Sequence, residues 1–318
     1  MSYLFSIVLI VMLTLVIGLS LYTLFIAKRV ELGMPPEGRF VTIMGNRIHY
    51  IEQGSGEQTI LLIHGLSGVA QHFGYSVMGQ LARRYRVVAI DRPGSGYSVR
   101  PDRSSASLAV QADVVAGVID SLDLDRPMLV GHSLGGAVSL ATALRHPDKV
   151  SRLALIAPLT HLPESPSEAF AALNIRLPWL RKLAGWTLAT PLSVRRSDQV
   201  LDIVFGPEDV PDDFAVRGGG YLSVRPSHFI AASSDMHALE DILPAMQQRY
   251  GDLELPIGIL YGCDDRILDP KEQGQAMADR VPGVELEMIE GGHMLPITQP
   301  DITAAFIERQ MQRGGRPD

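Results

Sequence analysis

Cysteine is almost missing from the chain: Cys263 is the only one in 318 residues. An intramolecular disulfide is excluded, and so is a zinc site built from cysteine pairs. Basic character is scarce as well, with 28 Lys and Arg against 35 Asp and Glu, a net charge of −7 and no long basic run. A nucleic-acid binder would carry a basic footprint, and none is present. Internal repeats are absent, and low-complexity sequence is confined to the N-terminus. His72, His146, His161, His228 and His237 lack any partner pattern of the kind a metal site needs. The most informative absence is of charge between Met1 and Ala27, where no Asp, Glu, Lys or Arg occurs before Lys28-Arg29.

That uncharged stretch is rich in Leu, Ile, Val, Met and Phe, and about 20 apolar residues suffice to cross a bilayer core. It lacks the basic start, the short apolar segment and the small-x-small site of a cleaved secretory signal. Its apolar residues cover every face, unlike those of an amphipathic soluble helix. Residues 1–30 are therefore expected to form a single-pass membrane anchor in contact with the lipid bilayer. Lys28 and Arg29 favour a cytoplasmic position for the rest of the chain. Residues 31–38, with Pro35-Pro36, read as a linker.

The remainder alternates between strand and helix patterns. Arg39 to Met44 and Arg47 to Gln53 are β-prone runs joined by Gly45-Asn46, a two-residue hairpin signal. Thr59 to Ile63, Arg86 to Ile90 and Arg152 to Ala157 read as buried strands, and Pro127 to Val130, Ile257 to Tyr261 and Val284 to Ile289 as further strands. Helical patterns cover Tyr75 to Arg84, Leu108 to Leu122, Ala137 to Leu144, Lys271 to Arg280 and Asp301 to Gln312. Such alternation predicts an α/β fold, a mainly parallel sheet with helices on both faces. It breaks between Pro158 and Leu253, a stretch that holds both tryptophans and short helical patterns. The expected organisation is a core of residues 39–157 and 254–318 interrupted by a helical cap or lid, residues 158–253.

One hexapeptide organises the chemistry. Gly131-His132-Ser133-Leu134-Gly135-Gly136 lies between a strand pattern and a helix pattern, the setting in which G-x-S-x-G forms a nucleophile elbow. A serine hydroxyl needs a base to take its proton, and the base needs an acid to orient it. Both partners are expected at the ends of later strands, acid before histidine. His293 follows Val284 to Ile289, and Asp265 follows Ile257 to Tyr261; Asp264 and Asp269 are rivals for the acid. The backbone N–H groups of Leu134 and Leu66 are the expected oxyanion donors, the second from the His64-Gly65-Leu66 loop. His64 is expected to brace that loop, His132 to be a buried, satisfied histidine, and Asp91 to Ser98 to be a structural turn.

Together, His64-Gly65, Asp91-Arg92-Pro93-Gly94-x-Gly96-x-Ser98, Gly131-His132-Ser133-x-Gly135-Gly136, Gly262-x-x-Asp265 and Gly292-His293 resemble the α/β-hydrolase superfamily in its lidded, esterase- and lipase-like branch. The resemblance spans about Arg39 to Arg309. It implies an eight-stranded, mostly parallel sheet, a helical cap, Ser133 as nucleophile, Asp265 as acid, His293 as base and no cofactor or metal. The aspartate nucleophile of haloalkane dehalogenases and epoxide hydrolases is replaced here by Ser133. Three functions remain in play: hydrolysis of a small-molecule, lipophilic carboxylic ester; C–C bond hydrolysis or cofactor-free perhydrolysis on the same triad; and a membrane-tethered binding protein with little turnover. Oligomeric state has no signature in the sequence.

Overall fold

The computed structural model describes residues 2–165 and 167–313. Met1, Pro166 and residues 314–318, which fall within the expected anchor, cap and second core segment, lie outside the described residues. Eight strands form one sheet: β1 (Arg39–Ile43), β2 (Asn46–Gln53), β3 (Thr59–Ile63), β4 (Arg86–Ile90), β5 (Met128–His132), β6 (Arg152–Ile156), β7 (Ile257–Gly262) and β8 (Glu285–Ile289). Their spatial order is β1-β2-β4-β3-β5-β6-β7-β8. The β1–β2 and β2–β4 pairings are antiparallel and the rest are parallel.

Side chains alternate across a strand, so a buried parallel strand serves two cores at once. Leu61, Ile63, Leu129, Leu155 and Ile259 join the core on one face, with Leu108, Val115 and Leu140 from α2 (Leu108–Ser121) and α3 (Leu134–Arg145). Ile60, Leu62, Val130, Ala154 and Leu260 join the other, with Phe306 and Ile307 from α7 (Pro300–Gln312). Each fully buried Leu, Ile, Val or Phe among these contributes about 1.5–3 kcal/mol. Ser107 starts α2 by accepting the Val110 N–H at 3.3 Å, an ordinary N-cap.

Between β6 and β7 the described residues hold helices and irregular chain without strands. The main ones are α4 (Pro178–Ala184), continued by a π-helical segment at Gly185–Ala189 into α5 (Thr190–Phe205), and α6 (Pro226–Gln247). Helix α1 (Ser2–Gly33) is one unbroken rod, and Tyr3–Gly33 is long and apolar enough to cross a membrane by length and composition. Its C-terminal end packs on this segment between β6 and β7, where Thr23 and Ala27 are buried.

Three local expectations need correction. The hairpin loop is Met44-Gly45, one residue earlier than expected, because Ile43 pairs with Asn46. Met44 and Gly45 both have positive φ, 50° and 79°, as a twisted two-residue turn demands. Asn46 is instead buried in β2, its side chain donating to the Ile43 carbonyl at 3.2 Å. The helix expected over Tyr75 to Arg84 is replaced by two short ones, Gln71–Gly74 and Val77–Leu81. The break falls at Ser76, with φ −155° and ψ −48°, while Tyr75 keeps helical angles and donates its N–H to the Gln71 carbonyl at 2.8 Å. The Tyr75 hydroxyl donates to Asp213 and its carbonyl accepts from Arg217. Finally, α1 continues through Glu31, Leu32 and Gly33, into the expected linker, and stops before Pro35-Pro36.

Candidate active site

β5 delivers Ser133 into a turn that only a crowded backbone can hold. Ser133 has φ 54° and ψ −121°, a conformation that costs a non-glycine residue about 1–3 kcal/mol. The neighbouring glycines make room for it. A Cβ on Gly135 would meet the Ile63 carbonyl oxygen at 2.0 Å, and one on Gly131 the Gly135 carbonyl oxygen at 2.4 Å. The Ser133 N–H donates to the Ile156 carbonyl at 3.0 Å, tying the elbow to β6. Helix α3 begins at once, so the Leu134 N–H, at the first helical position, has no intrahelical acceptor.

The loop after β3 lies against this turn, since a Cβ on Gly65 would come within 2.8 Å of the Ser133 Cβ. The Gly65 carbonyl accepts three hydrogen bonds, from His64 Nδ1 at 2.8 Å, Arg92 Nη2 at 2.9 Å and the Gly68 N–H at 3.1 Å. In a trans peptide the following N–H points the opposite way. The Leu66 N–H is thereby held pointing away from all three donors, and no acceptor among the described residues takes it.

His293, after β8, donates from Nδ1 to Asp265 Oδ2 at 2.7 Å. The other oxygen of Asp265 accepts the Ile267 and Leu268 N–H groups at 2.8 and 3.0 Å. Both side chains are buried, and the carboxylate is fully so. Asp264 is exposed, and among the described residues its carboxylate meets only the Gly291 N–H, at 3.4 Å. Asp269 accepts the Lys271 N–H. The structure thus joins Asp265, and neither rival, to His293. Among the described residues no hydrogen bond joins His293 to Ser133; such contacts often tighten only when substrate is bound.

The remaining histidines near the site are structural. His64 is wholly buried, accepting the Arg92 N–H at 2.9 Å through Nε2. Burial, then the charge of Arg92, holds its pKa well below the usual histidine value. His132 donates from Nε2 to the His293 carbonyl at 2.9 Å, but its Nδ1 is buried without a partner among the described residues. It is therefore only half satisfied. Burial, then the nearby His293, pushes its pKa well down. Asp91 anchors its turn, accepting from the Ala70 and Tyr97 N–H groups at 2.7 and 2.8 Å.

Sequence reasoning missed Asp235. This fully buried carboxylate on α6 accepts from Arg92 Nη1 at 2.6 Å and from Arg100 Nη1 at 2.5 Å. Arg92 in turn donates to the His64 and Gly65 carbonyls, so a cap helix is wired to the loop bearing the Leu66 N–H. An aspartate and an arginine 143 positions apart carry no local signal; the apolar setting of Asp235 was the only available hint.

Residues 58–300 match the family model of the alpha/beta hydrolase fold. The chain belongs to that family of hydrolases. It is 39% identical over 288 residues to the 2-hydroxymuconate semialdehyde hydrolase of Pseudomonas sp. (strain CF600), covering 86% of this chain and 93% of that one. Among solved structures, it superposes on the enol-lactonase from Burkholderia xenovorans LB400 with a TM-score of 0.71 at 18% identity, over 86% of this chain and 100% of the other. A bacterial membrane phospholipase A aligns over 98% of this chain and 99% of its own, with a TM-score of 0.63 and 25% identity.

Proposed function

We propose that the chain is a serine hydrolase, anchored in a membrane through α1, that cleaves lipophilic carboxylic esters through an acyl-enzyme beneath a cap of residues 158–253. The observation that carries this reading is the strained Ser133 on its elbow with an Asp265-oriented His293 at the end of the last strand. In the first step His293 Nε2 takes the Ser133 proton as Oγ bonds to the acyl carbon. The carbonyl electron pair moves onto oxygen, where the Leu66 and Leu134 N–H groups stabilise it. Collapse breaks the ester C–O bond, and His293 passes its proton to the departing alcohol. His293 then takes a proton from water as the water oxygen attacks the acyl carbon. Collapse breaks the bond to Ser133 Oγ, His293 returns the proton to Oγ, and the carboxylic acid leaves. Asp265 keeps the imidazole in the required tautomer and stabilises its positive charge.

The alignment with a membrane phospholipase A extends across the N-terminal helix as well as the hydrolase core, which supports both the anchor and a lipid-like ester. A second reading has its own support: 39% identity to a 2-hydroxymuconate semialdehyde hydrolase favours C–C bond cleavage on the same residues. Product identity separates the two. Detergent-solubilised full chain is expected to release fatty acid from long-chain p-nitrophenyl esters or phospholipid, with turnover lost in Ser133→Ala. Turnover of 2-hydroxy-6-oxo-dienoates without ester hydrolysis would replace the first reading by the second.

A further inference from the structure

Trp179 and Trp186 are the only tryptophans in the chain, and both lie on the outside of the cap, 64% and 45% exposed. Leu177, Leu180, Leu183 and Leu188 are exposed beside them on the same helical run. A grouping of large apolar side chains of this kind marks a surface that meets something other than water. The end of α1 indicates what that is. Thr23 donates to the carbonyl of Thr187, the residue after Trp186, at 3.4 Å. Ala27 is buried at the same contact, and Glu31 pairs with Arg225 of the cap at 3.4 Å, so α1 and the cap are joined at a defined level. From Tyr3 to Thr23 is about 20 steps at 1.5 Å each, about 30 Å. That equals the hydrocarbon thickness of a bilayer. With Tyr3 at one boundary, Thr23 stands at the other, and Trp186, next to Thr187 in the chain, stands in the layer where tryptophan is enriched, with Trp179 about two turns away on the same helical run. Lys28 and Arg29 follow just beyond, both exposed.

We propose that this face of the cap rests in the interfacial layer of the phospholipid bilayer that α1 crosses, so that the cap is a second, shallow membrane contact. The inference rests on α1 as a membrane span and is independent of the catalytic assignment. Because Trp179 and Trp186 are the only tryptophans, the fluorescence of the full chain reports on the cap alone. The protein is reconstituted into phosphatidylcholine vesicles brominated either near the headgroup or deep in the acyl chains, and recovered by flotation. The expected result is blue-shifted emission, quenched more by shallow than by deep bromine, and persisting in Trp179→Phe and Trp186→Phe singly. Protein that floats with the vesicles but shows unquenched emission overturns the cap contact and leaves the anchor standing; if that emission is also blue-shifted, another protein surface covers the face. Protein that fails to float overturns both. Fluorophosphonate labelling of the same vesicles reads Ser133 separately. In a functional arm, Leu183→Ser with Trp186→Ser is expected to reduce hydrolysis of vesicle-borne ester while leaving a short, water-soluble ester unaffected. An equal loss on both would overturn the inference.

Discussion

Asp264 and Asp265 are neighbours in the chain with opposite surroundings. Asp265 is enclosed, gives one oxygen to His293 and receives two backbone N–H groups on the other; Asp264 faces solvent. Asp265→Asn leaves the imidazole in the wrong tautomer and is expected to cost about 10⁴ in kcat. Asp264→Asn is expected to stay within a few-fold of wild type; reversal of that order in steady-state assays would reassign the acid. Asp235 acts at the same scale from further away. Removing its charge leaves Arg92 buried with less compensation, a loss of about 3–5 kcal/mol when a buried pair is broken. Asp235→Asn is expected to lower the melting temperature and to slow modification of Ser133 in the protein that remains folded, because Arg92 also positions the Gly65 carbonyl. An unchanged melting temperature would contradict that account. The elbow at Ser133 and the pairing of His293 with Asp265 were legible because motif, strand end and chain order agree on them. Asp235 was not, since its partner lies in a different segment and burial is a property of the folded chain.

At the scale of elements, the elbow depends on β3 and α3 approaching more closely than a side chain permits. Gly135→Ala would place a methyl group 2.0 Å from the Ile63 carbonyl oxygen, a backbone atom that cannot swing aside. The variant is expected to lose several degrees of melting temperature and most of its Ser133 reactivity together; a well-folded, fully reactive Gly135→Ala would show that the approach is dispensable. The positions of β3, β4 and β6 were readable from short apolar runs because these inner strands are buried on both faces. The hairpin turn shifted by one residue because Asn46 pairs with Ile43 in the sheet and turns its side chain back onto the Ile43 and Met44 carbonyls. The break at Ser76 was invisible for a different reason: helical spacing is a local property, whereas Asp213 and Arg217, which hold the hydroxyl and carbonyl of Tyr75 just before it, lie in the distant segment between β6 and β7.

Across the whole molecule, α6 and the sheet-bearing part of the chain meet through buried histidines as well as through Asp235. His72 of the core and His228 of α6 are both pushed down to about 4, by burial first, then by the charge of His228 on His72 and of Arg225 on His228. His72 Nδ1 and His228 Nε2 are buried without partners among the described residues. Both are neutral in the folded protein, while the unfolded chain binds protons from about pH 6.5 downward. The unfolded state therefore gains protons first, and stability present above about pH 6.5 is lost as pH falls towards 4. Thermal melts from about pH 8 to about pH 4 are expected to fall through that window, and His228→Gln is expected to flatten the slope. A melting temperature independent of pH there would contradict the buried neutral pair. The central claim, an activated Ser133, is tested most directly by a fluorophosphonate probe on the purified full chain. Rapid labelling of the wild type, lost in Ser133→Ala and strongly slowed in His293→Ala, is the predicted result; a folded wild type that does not label, or a Ser133→Ala variant that still does, would contradict it.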